Sequence, residues 1–447
     1  MKECGVMHGQ GLNIAVVGSG ITGLSCAWLL GRAHRVTVFE AAHRVGGHSC
    51  TVELQRAGGP AAVDIGFIVY NERTYPNLTA LFRHLSVPTQ PSCMSLGISV
   101  DNGAFEYGGH DLASLFAQRR NLVRPRFWAM LSALLRLYRK APGAQPGESE
   151  TLGAWLDRNA FPAAFQRDHL LPMAAAIWSC PPDSARAQPA AAFLRFCDNH
   201  GLLRLRDRPE WRTVTGGSRE YVWRLLADFS GRVETGREIV SISRAADRVT
   251  LRDAFGDVRS FDHVVIASHG DEAFSMIADK DAEEQEILGA FHGLENRAVL
   301  HGDTALMPRR RAMWSSWNFL ATSADPTEPP CVTYWMNRLQ NLPQPNLFLT
   351  LNPRREPAPG LVFAEHHFTH PVFDTASLAA QKKIWSLQGR RRTFFCGAYL
   401  GAGFHEDGLQ AGLAVAEAIG GVRRPWSVPG ESARLHIPAD AMLAVPA

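Results

Sequence analysis

The 447-residue sequence has no uninterrupted apolar run of 18 or more residues, so no segment reads as a membrane-spanning helix. It has no Cys-x-x-Cys pair. Its eight cysteines (Cys4, Cys26, Cys50, Cys93, Cys180, Cys197, Cys331 and Cys396) are scattered, which fits reduced thiols and a cytoplasmic setting. No His/Cys/Asp cluster has metal-ligand spacing, so no metal is expected. No Gly-x-Ser-x-Gly elbow suggests a serine hydrolase. A net charge of +3 gives no general case for nucleic acid. No helix-turn-helix, zinc-finger or RNA-binding signature is visible. The opening residues, MKECGVMHGQGL, lack an apolar signal core, so export is not expected. Hydrophobic residues at 46% and charged residues at 20% fit an ordinary globular chain long enough for two or three domains.

The strongest positive signal is Gly18-Ser19-Gly20-Ile21-Thr22-Gly23. Before it, NIAVV (residues 13–17) reads as a short buried strand. After it, residues 24–32 read as a helix, and RVTVF (residues 35–39) alternates like a second strand ending at Glu40. The three glycines serve a tight turn, a close approach to a pyrophosphate, and helix–strand packing. The helix N-terminus offers free N–H groups to the phosphates. Glu40 follows Gly18 at the distance expected of an acid that meets ribose hydroxyls. Together these predict a dinucleotide site, and Cys26 in that helix reads as packed core.

Gly46-Gly47-His48 follows closely. Glu40, then a Gly-Gly pair, then Thr51 resembles FAD enzymes of the amine oxidase and phytoene desaturase type, with His48 where Arg is usual. Near the other end, strand-like residues 392–395 lead into Gly397-Ala398-Tyr399. Gly401-Ala402-Gly403-Phe404-His405-Glu406-Asp407-Gly408 and a small-residue helix over 413–419 follow. This is similar to the family's closing strand, turn and helix, whose N-terminus faces the flavin. Asp407 could cap that helix.

The resemblance implies an α/β fold: a Rossmann-type FAD-binding domain with a glutathione-reductase-like sheet, interleaved with an α+β substrate-binding domain. Residues 12–85, 216–290 and 391–424 would bind FAD. Residues 86–215 and 291–390 would hold substrate, and residues 425–447 would be a surface tail. Gly216-Gly217-Ser218 would turn an amphipathic helix, running to Phe229, back to the cofactor. Strands are expected near 238–242, 249–252 and 261–267. The FAD contacts implied are Gly18, Ser19, Gly20, Thr22, Gly23, Glu40, Ala41, Arg44, Gly46, Gly47, His48, Gly66, Phe67, Ile239, Gly397, Ala398, Phe404 and His405.

Phe-His-Glu-Asp-Gly (404–408) and the stretch 301–317 further resemble a bacterial branch associated with cyclopropane, methyl-branched and furan fatty acids. That branch includes a flavin desaturase of methylated acyl chains. The implied reaction is hydride transfer from a fatty acyl chain, free or in a phospholipid, to flavin N5. His405 and Glu406 are the candidate bases; His269, His366, His367 and His370 are weaker ones. Tyr399 and Phe404 could instead frame an amine, as in amine oxidases. A third reading is a non-redox FAD protein partnering a lipid methyltransferase. Cys396 reads as core rather than as a covalent flavin link.

Residues 112–147 contain no acid but carry Arg119, Arg120, Arg124, Arg126, Arg136, Arg139 and Lys140. Pro125 suits a helix start. On a helical wheel Phe127, Met130, Leu131, Leu134, Leu135, Leu137 and Tyr138 oppose Arg136, Arg139 and Lys140. Such a helix over 119–140 suits peripheral contact with the inner face of the cytoplasmic membrane, or a surface helix with one solvated side.

Overall fold

A computed structural model describes residues 11–56, 59–147, 150–178, 181–199, 201–203, 207–321 and 331–438. The opening segment read for export signals, Cys4, Cys180 and residues 439–447 lie outside the described residues.

Strand Asn13–Val17 is apolar and buried at four successive positions because strands flank it on both sides. Arg35–Glu40 and His263–Ile266 pair with it in parallel, and Arg232–Thr235 and Thr393–Phe395 complete a five-stranded parallel sheet. Its order is 232–235, 35–40, 13–17, 263–266, 393–395. Helix Ile21–Leu30 links the first two strands and is buried along its whole length. The last helix, His405–Ile419, packs on it. A Cβ on Gly412 would lie 2.3 Å from the Thr22 carbonyl oxygen, and one on Gly408 would lie 2.6 Å from Thr22 Oγ1. The small residues there set the closeness of this helix pair.

Two elements differ from expectation. The segment 261–267 is not one strand. Phe261 ends Val258–Phe261, the outer strand of an antiparallel trio with Ile239–Arg244 and Val249–Asp253. Asp262 makes the corner by accepting the Asn13 N–H at 2.7 Å, and His263–Ile266 then joins the parallel sheet. The last helix begins at His405 rather than 413. Asp407 accepts the Phe404 N–H at 2.8 Å, so the polar run 405–407 is its capped first turn. Asp407 is thus the third helical residue, bonding back to the N-cap Phe404, rather than the N-cap itself.

A second sheet of seven strands has the order 362–372, 292–301, 348–351, 331–335, 317–321, 96–100, 105–108. Helices from 112 to 199 cover it. Phe127, Met130, Phe165 and Phe193 meet Ile98, Phe319 and Leu349 in one core. Helix Arg219–Ala227 follows the Gly216-Gly217-Ser218 turn.

The expected surface tail is corrected as far as residue 438. The Arg424 side chain is fully buried, pairs with Glu417 at 2.8 Å and donates to Asn77 Oδ1 at 3.0 Å. Trp426 stacks on Trp28 with ring centroids 5.9 Å apart. Alanine and proline composition hid this segment, because its attachment runs through two separated side chains, Trp426 and Arg434, the latter paired with Asp407 at 3.2 Å. Among the described residues Cys26, Cys50, Cys93, Cys197, Cys331 and Cys396 are free thiols, and Cys26 and Cys396 are buried in the core.

Candidate flavin site

One cavity of about 1540 Å³ runs from the glycine turn after the first strand into the space between the two sheets. Small-molecule sites usually occupy roughly 300–1,000 Å³, so there is room for a dinucleotide and a second ligand.

At the nucleotide end, Gly23 packs so tightly that a Cβ there would sit 1.9 Å from the Gly18 carbonyl oxygen. Gly20 is the opposite case: no atom lies within 4 Å of its virtual Cβ. Gly20 is the N-cap of helix Ile21–Leu30, with no side-chain cap and no acid in the first turn. The first-turn N–H groups therefore have no intrahelical partner and line open space suited to a pyrophosphate. Glu40 Oε2 accepts from Ser19 N at 2.9 Å and Ser19 Oγ at 2.5 Å, and Oε1 accepts from Ala42 N at 2.9 Å. These bonds hold the carboxylate at the cavity wall. Gly18, Ser19, Thr22, Ala41, Gly47 and Ile239 share this end of the lining.

Further in, the lining includes His48, Gly66, Phe67, Gly397, Ala398, Tyr399, Phe404 and His405. Three predicted contacts do not line the cavity. Gly23 packs on Gly18, Gly46 donates its N–H to the Ser19 carbonyl at 2.9 Å, and Arg44 Nη2 lies 3.2 Å from His366 Nε2. His48 Nε2 and Tyr399 Oη, both on cavity-lining residues, are buried with no hydrogen-bond partner. An unsatisfied buried polar atom costs about 1–3 kcal/mol, so a polar group is expected to meet them. Open space at Gly20, free helix N–H groups, a fixed carboxylate and orphaned polar atoms together fit FAD.

His405 stacks on Phe67 with centroids 3.8 Å apart. Its Nε2 lies 3.1 Å from Ser49 Oγ and 3.0 Å from Tyr221 Oη, and those two hydroxyls bond each other. Burial pulls the imidazole down to about 3. His405 is therefore a neutral ring fixed by two hydroxyls, a poor base at neutral pH, and its candidacy as the base is corrected. So is that of Glu406, which does not line the cavity. The Glu406 carboxylate accepts from Asn77 N at 3.0 Å, Asn77 Nδ2 at 2.9 Å, Leu78 N at 2.9 Å and Gln410 Nε2 at 3.0 Å. It caps helix Pro76–His84, which has no cap of its own. Burial raises its pKa.

The weaker histidine candidates divide by strand parity. Strand Val362–Val372 puts His366, Phe368 and His370 on one face and His367 on the other. His367 pairs with Glu295 at 3.0 Å on the exposed side. Phe368 and His370 line the cavity with His269. The His48 ring lies 5.4 Å from His370 and 6.0 Å from His269. Burial first, and then these neighbours, hold His48 well below 6.5; burial holds His370 at about 4. Asn296 Nδ2 donates to His370 Nδ1 at 3.0 Å, leaving the ring proton of this neutral imidazole on Nε2.

Sequence reasoning missed Ser49, Tyr221 and Phe368, and it placed Asp64 in the segment 64–69 that passes the flavin without giving it a role. The alternation of 366, 368 and 370 was a readable signal for Phe368. Asp64 accepts from Thr51 Oγ1 at 2.6 Å, Ser218 N at 2.8 Å and Gln340 Nε2 at 2.9 Å, and so ties three distant segments beside the site. Burial pushes its carboxyl up to about 6. Tyr399 packs edge-on against Phe291 at 4.7 Å, whereas Phe404 stacks on Phe196 at 4.9 Å.

Residues 21–299 match the model of the flavin containing amine oxidoreductase family. A Mycobacterium tuberculosis protein bearing the name of a flavin-containing monoamine oxidase is 28% identical over 262 residues, 56% of this chain. The match spans about half, 55%, of that relative's length. Among solved structures, cyclohexylamine oxidase from Brevibacterium oxydans IH-35A is similar at TM-score 0.63 and 17% identity, covering 92% of this chain and 99% of that one. A CLA-producing fatty acid isomerase from P. acnes is similar at TM-score 0.64 and 15% identity, covering 91% and 98%. At such identities the likeness is one of fold. The family match takes in well over half of the sequence, and with the site's geometry it leads to one conclusion: the chain belongs to the flavin containing amine oxidoreductase family, and its cofactor is FAD.

Proposed function

We propose that the protein is an FAD-dependent oxidoreductase that desaturates a fatty acyl chain, methylated and either free or within a phospholipid. The observation that carries this reading is the chemistry of the cavity walls beyond the flavin end. Met94, Leu96, Met130, Leu131, Leu134, Met173, Ile177, Leu349 and Leu351 line it. Among the described residues of the seven-stranded sheet and its helical layer, the acidic lining groups are Asp111 and Glu210, both exposed. An ammonium substrate has no buried carboxylate there, while an alkyl chain gains from burial against these apolar side chains. The same fold houses a fatty acid isomerase, so it accommodates an acyl chain.

Bound FAD supplies a two-electron acceptor. Desaturation takes from the chain a hydride, which bound FAD would accept, and a proton, for which the unpartnered Nε2 of neutral His48 is the candidate acceptor, and leaves a C=C bond. The apolar walls hold the chain and exclude water, which gives orientation at the reacting carbon. Neutral His48 and His370, with Tyr399, present the polar groups at the inner end.

The test is an anaerobic flavin spectrum before and after adding bacterial phospholipid with methylated unsaturated chains. Bleaching with a new diene in the lipid supports the proposal. Bleaching by amines but not by lipid replaces it with the amine oxidase reading, which the family's name favours. No bleaching with either class supports the non-redox role beside a lipid methyltransferase.

A further inference from the structure

The mouth of the cavity lies in a surface of unusual composition. Among the described residues, five of the fourteen exposed large apolar side chains fall between 112 and 135: Leu112 (74% exposed), Leu122, Val123 (82%), Trp128 and Leu135. They belong to one surface. Phe116 lies 5.8 Å from Phe127 and 6.0 Å from Trp128, and Trp128 Nε1 donates to the Leu122 carbonyl at 2.9 Å. Helix Pro125–Lys140 buries Phe127, Met130, Ala133 and Leu137 on its inner side. Leu112 and Leu135 are both exposed and cavity-lining, so the cavity opens through this surface. A second exposed apolar run, Leu361, Val362 and Phe363, does not line the cavity.

Within 112–147 the charges have one sign; the exposed acids lining the cavity beside this stretch are Asp111 and Glu210. Arg136 and Lys140 are held by neutral acceptors, the Ala160 carbonyl and Asn159 Oδ1, on the far side of the helix. Arg120 and Arg124 bond the Ala104 carbonyl, and Arg119 is exposed beside them. Of the seven basic groups in this acid-free stretch, Arg126 alone has a carboxylate partner among the described residues, Asp168. Crowding by Arg120, Arg126 and Arg310 adds to burial in lowering the Arg124 pKa, as expected in a positive local field. An aqueous mouth gains nothing from Val123 and Leu112 standing in water, and the uncompensated arginines beside them need anions.

We infer that this face, residues 112–135, docks on an anionic lipid bilayer with the cavity mouth turned to the membrane, so that the acyl chain enters from the bilayer. Leu112, Val123 and Trp128 enter the interface, and Arg119, Arg120 and Arg124 meet lipid phosphates. This rests on the acyl reading for its purpose, but not for its test.

The experiment is sedimentation of the FAD-loaded full chain with vesicles of phosphatidylcholine alone or with phosphatidylglycerol, at low and high salt. Binding to the anionic vesicles at least tenfold tighter, weakened by salt, is the expected result. Val123→Asp with Arg119→Glu, neither of which lines the cavity, is expected to lose at least tenfold in vesicle binding. The flavin spectrum and the bleaching by a soluble short acyl substrate should be unchanged. Two outcomes overturn the inference: protein remaining in the supernatant with both vesicles, or equal, salt-insensitive binding to both. Binding as expected, with no acyl substrate able to bleach the flavin, leaves the docking surface standing and removes the acyl reading.

Discussion

Gly20 and Gly23 lie three residues apart, yet their replacement by alanine should fail in different ways. An added Cβ at Gly20 meets no protein atom within 4 Å, and the backbone there (φ −68°, ψ −178°) suits any L-residue. Gly20→Ala should leave the stability of the apoprotein within about 1 kcal/mol of the parent. The methyl group instead enters the space assigned to the pyrophosphate. Overpacking of that kind costs about 1–3 kcal/mol, or roughly fivefold to 150-fold in FAD affinity. At Gly23 the Cβ would be 1.9 Å from the Gly18 carbonyl oxygen, so helix and turn must separate. Gly23→Ala should cost about 3 kcal/mol or more of stability, even without flavin. Thermal melts of flavin-stripped protein and a flavin-quenching titration measure both quantities. If Gly20→Ala binds FAD like the parent, or destabilises the apoprotein as much as Gly23→Ala, the assignment of the phosphate seat is wrong.

Glu406→Gln puts an amide N–H among four donors and should cost about 1–3 kcal/mol in a melt. The pH profile of flavin reduction should not move; a shifted profile would restore Glu406 as a base. Acid should destabilise the protein steeply. His370, near 4, and His405, near 3, are neutral when folded but protonate near 6.5 when unfolded. The unfolded state binds more protons, so each ring loses about 1.4 kcal/mol of its contribution per pH unit below 6.5. Asp64, raised to about 6, acts oppositely: its folded form holds the extra proton between about 4 and 6, so its contribution falls as pH rises through that window. Denaturant midpoints between pH 7 and 5 should fall with acid, and a flat profile would contradict the burial of the imidazoles. Ending the chain after Gly421 strips buried Glu417 of Arg424 and should cost about 3–5 kcal/mol, read as loss of protease resistance.

The parts of the site legible in the sequence were local ones. Asn13 to Glu40 specify strand, turn, helix and strand within about thirty residues, and each carries its own signal. Asn77 and Glu406 are 329 positions apart, and Asp64 and Gln340 are 276 apart. No period or spacing encodes such pairs. His405 and Glu406 read as acid–base candidates because residue type is local, whereas burial and hydrogen-bond saturation, which decide their chemistry, come from distant segments. The helical wheel located the apolar residues of 125–140, but it could not divide them between core, cavity and solvent.

The packing of Gly408 and Gly412 on Thr22 joins the first helix of the chain to the last, and the fifth strand of the parallel sheet is Thr393–Phe395. During synthesis the glycine turn leaves the ribosome about 385 residues ahead of the helix that closes over it, and the nucleotide cradle stays open over that interval. Retention of FAD then depends on both members of this helix pair, and a chain interrupted before residue 393 is expected to lose its flavin.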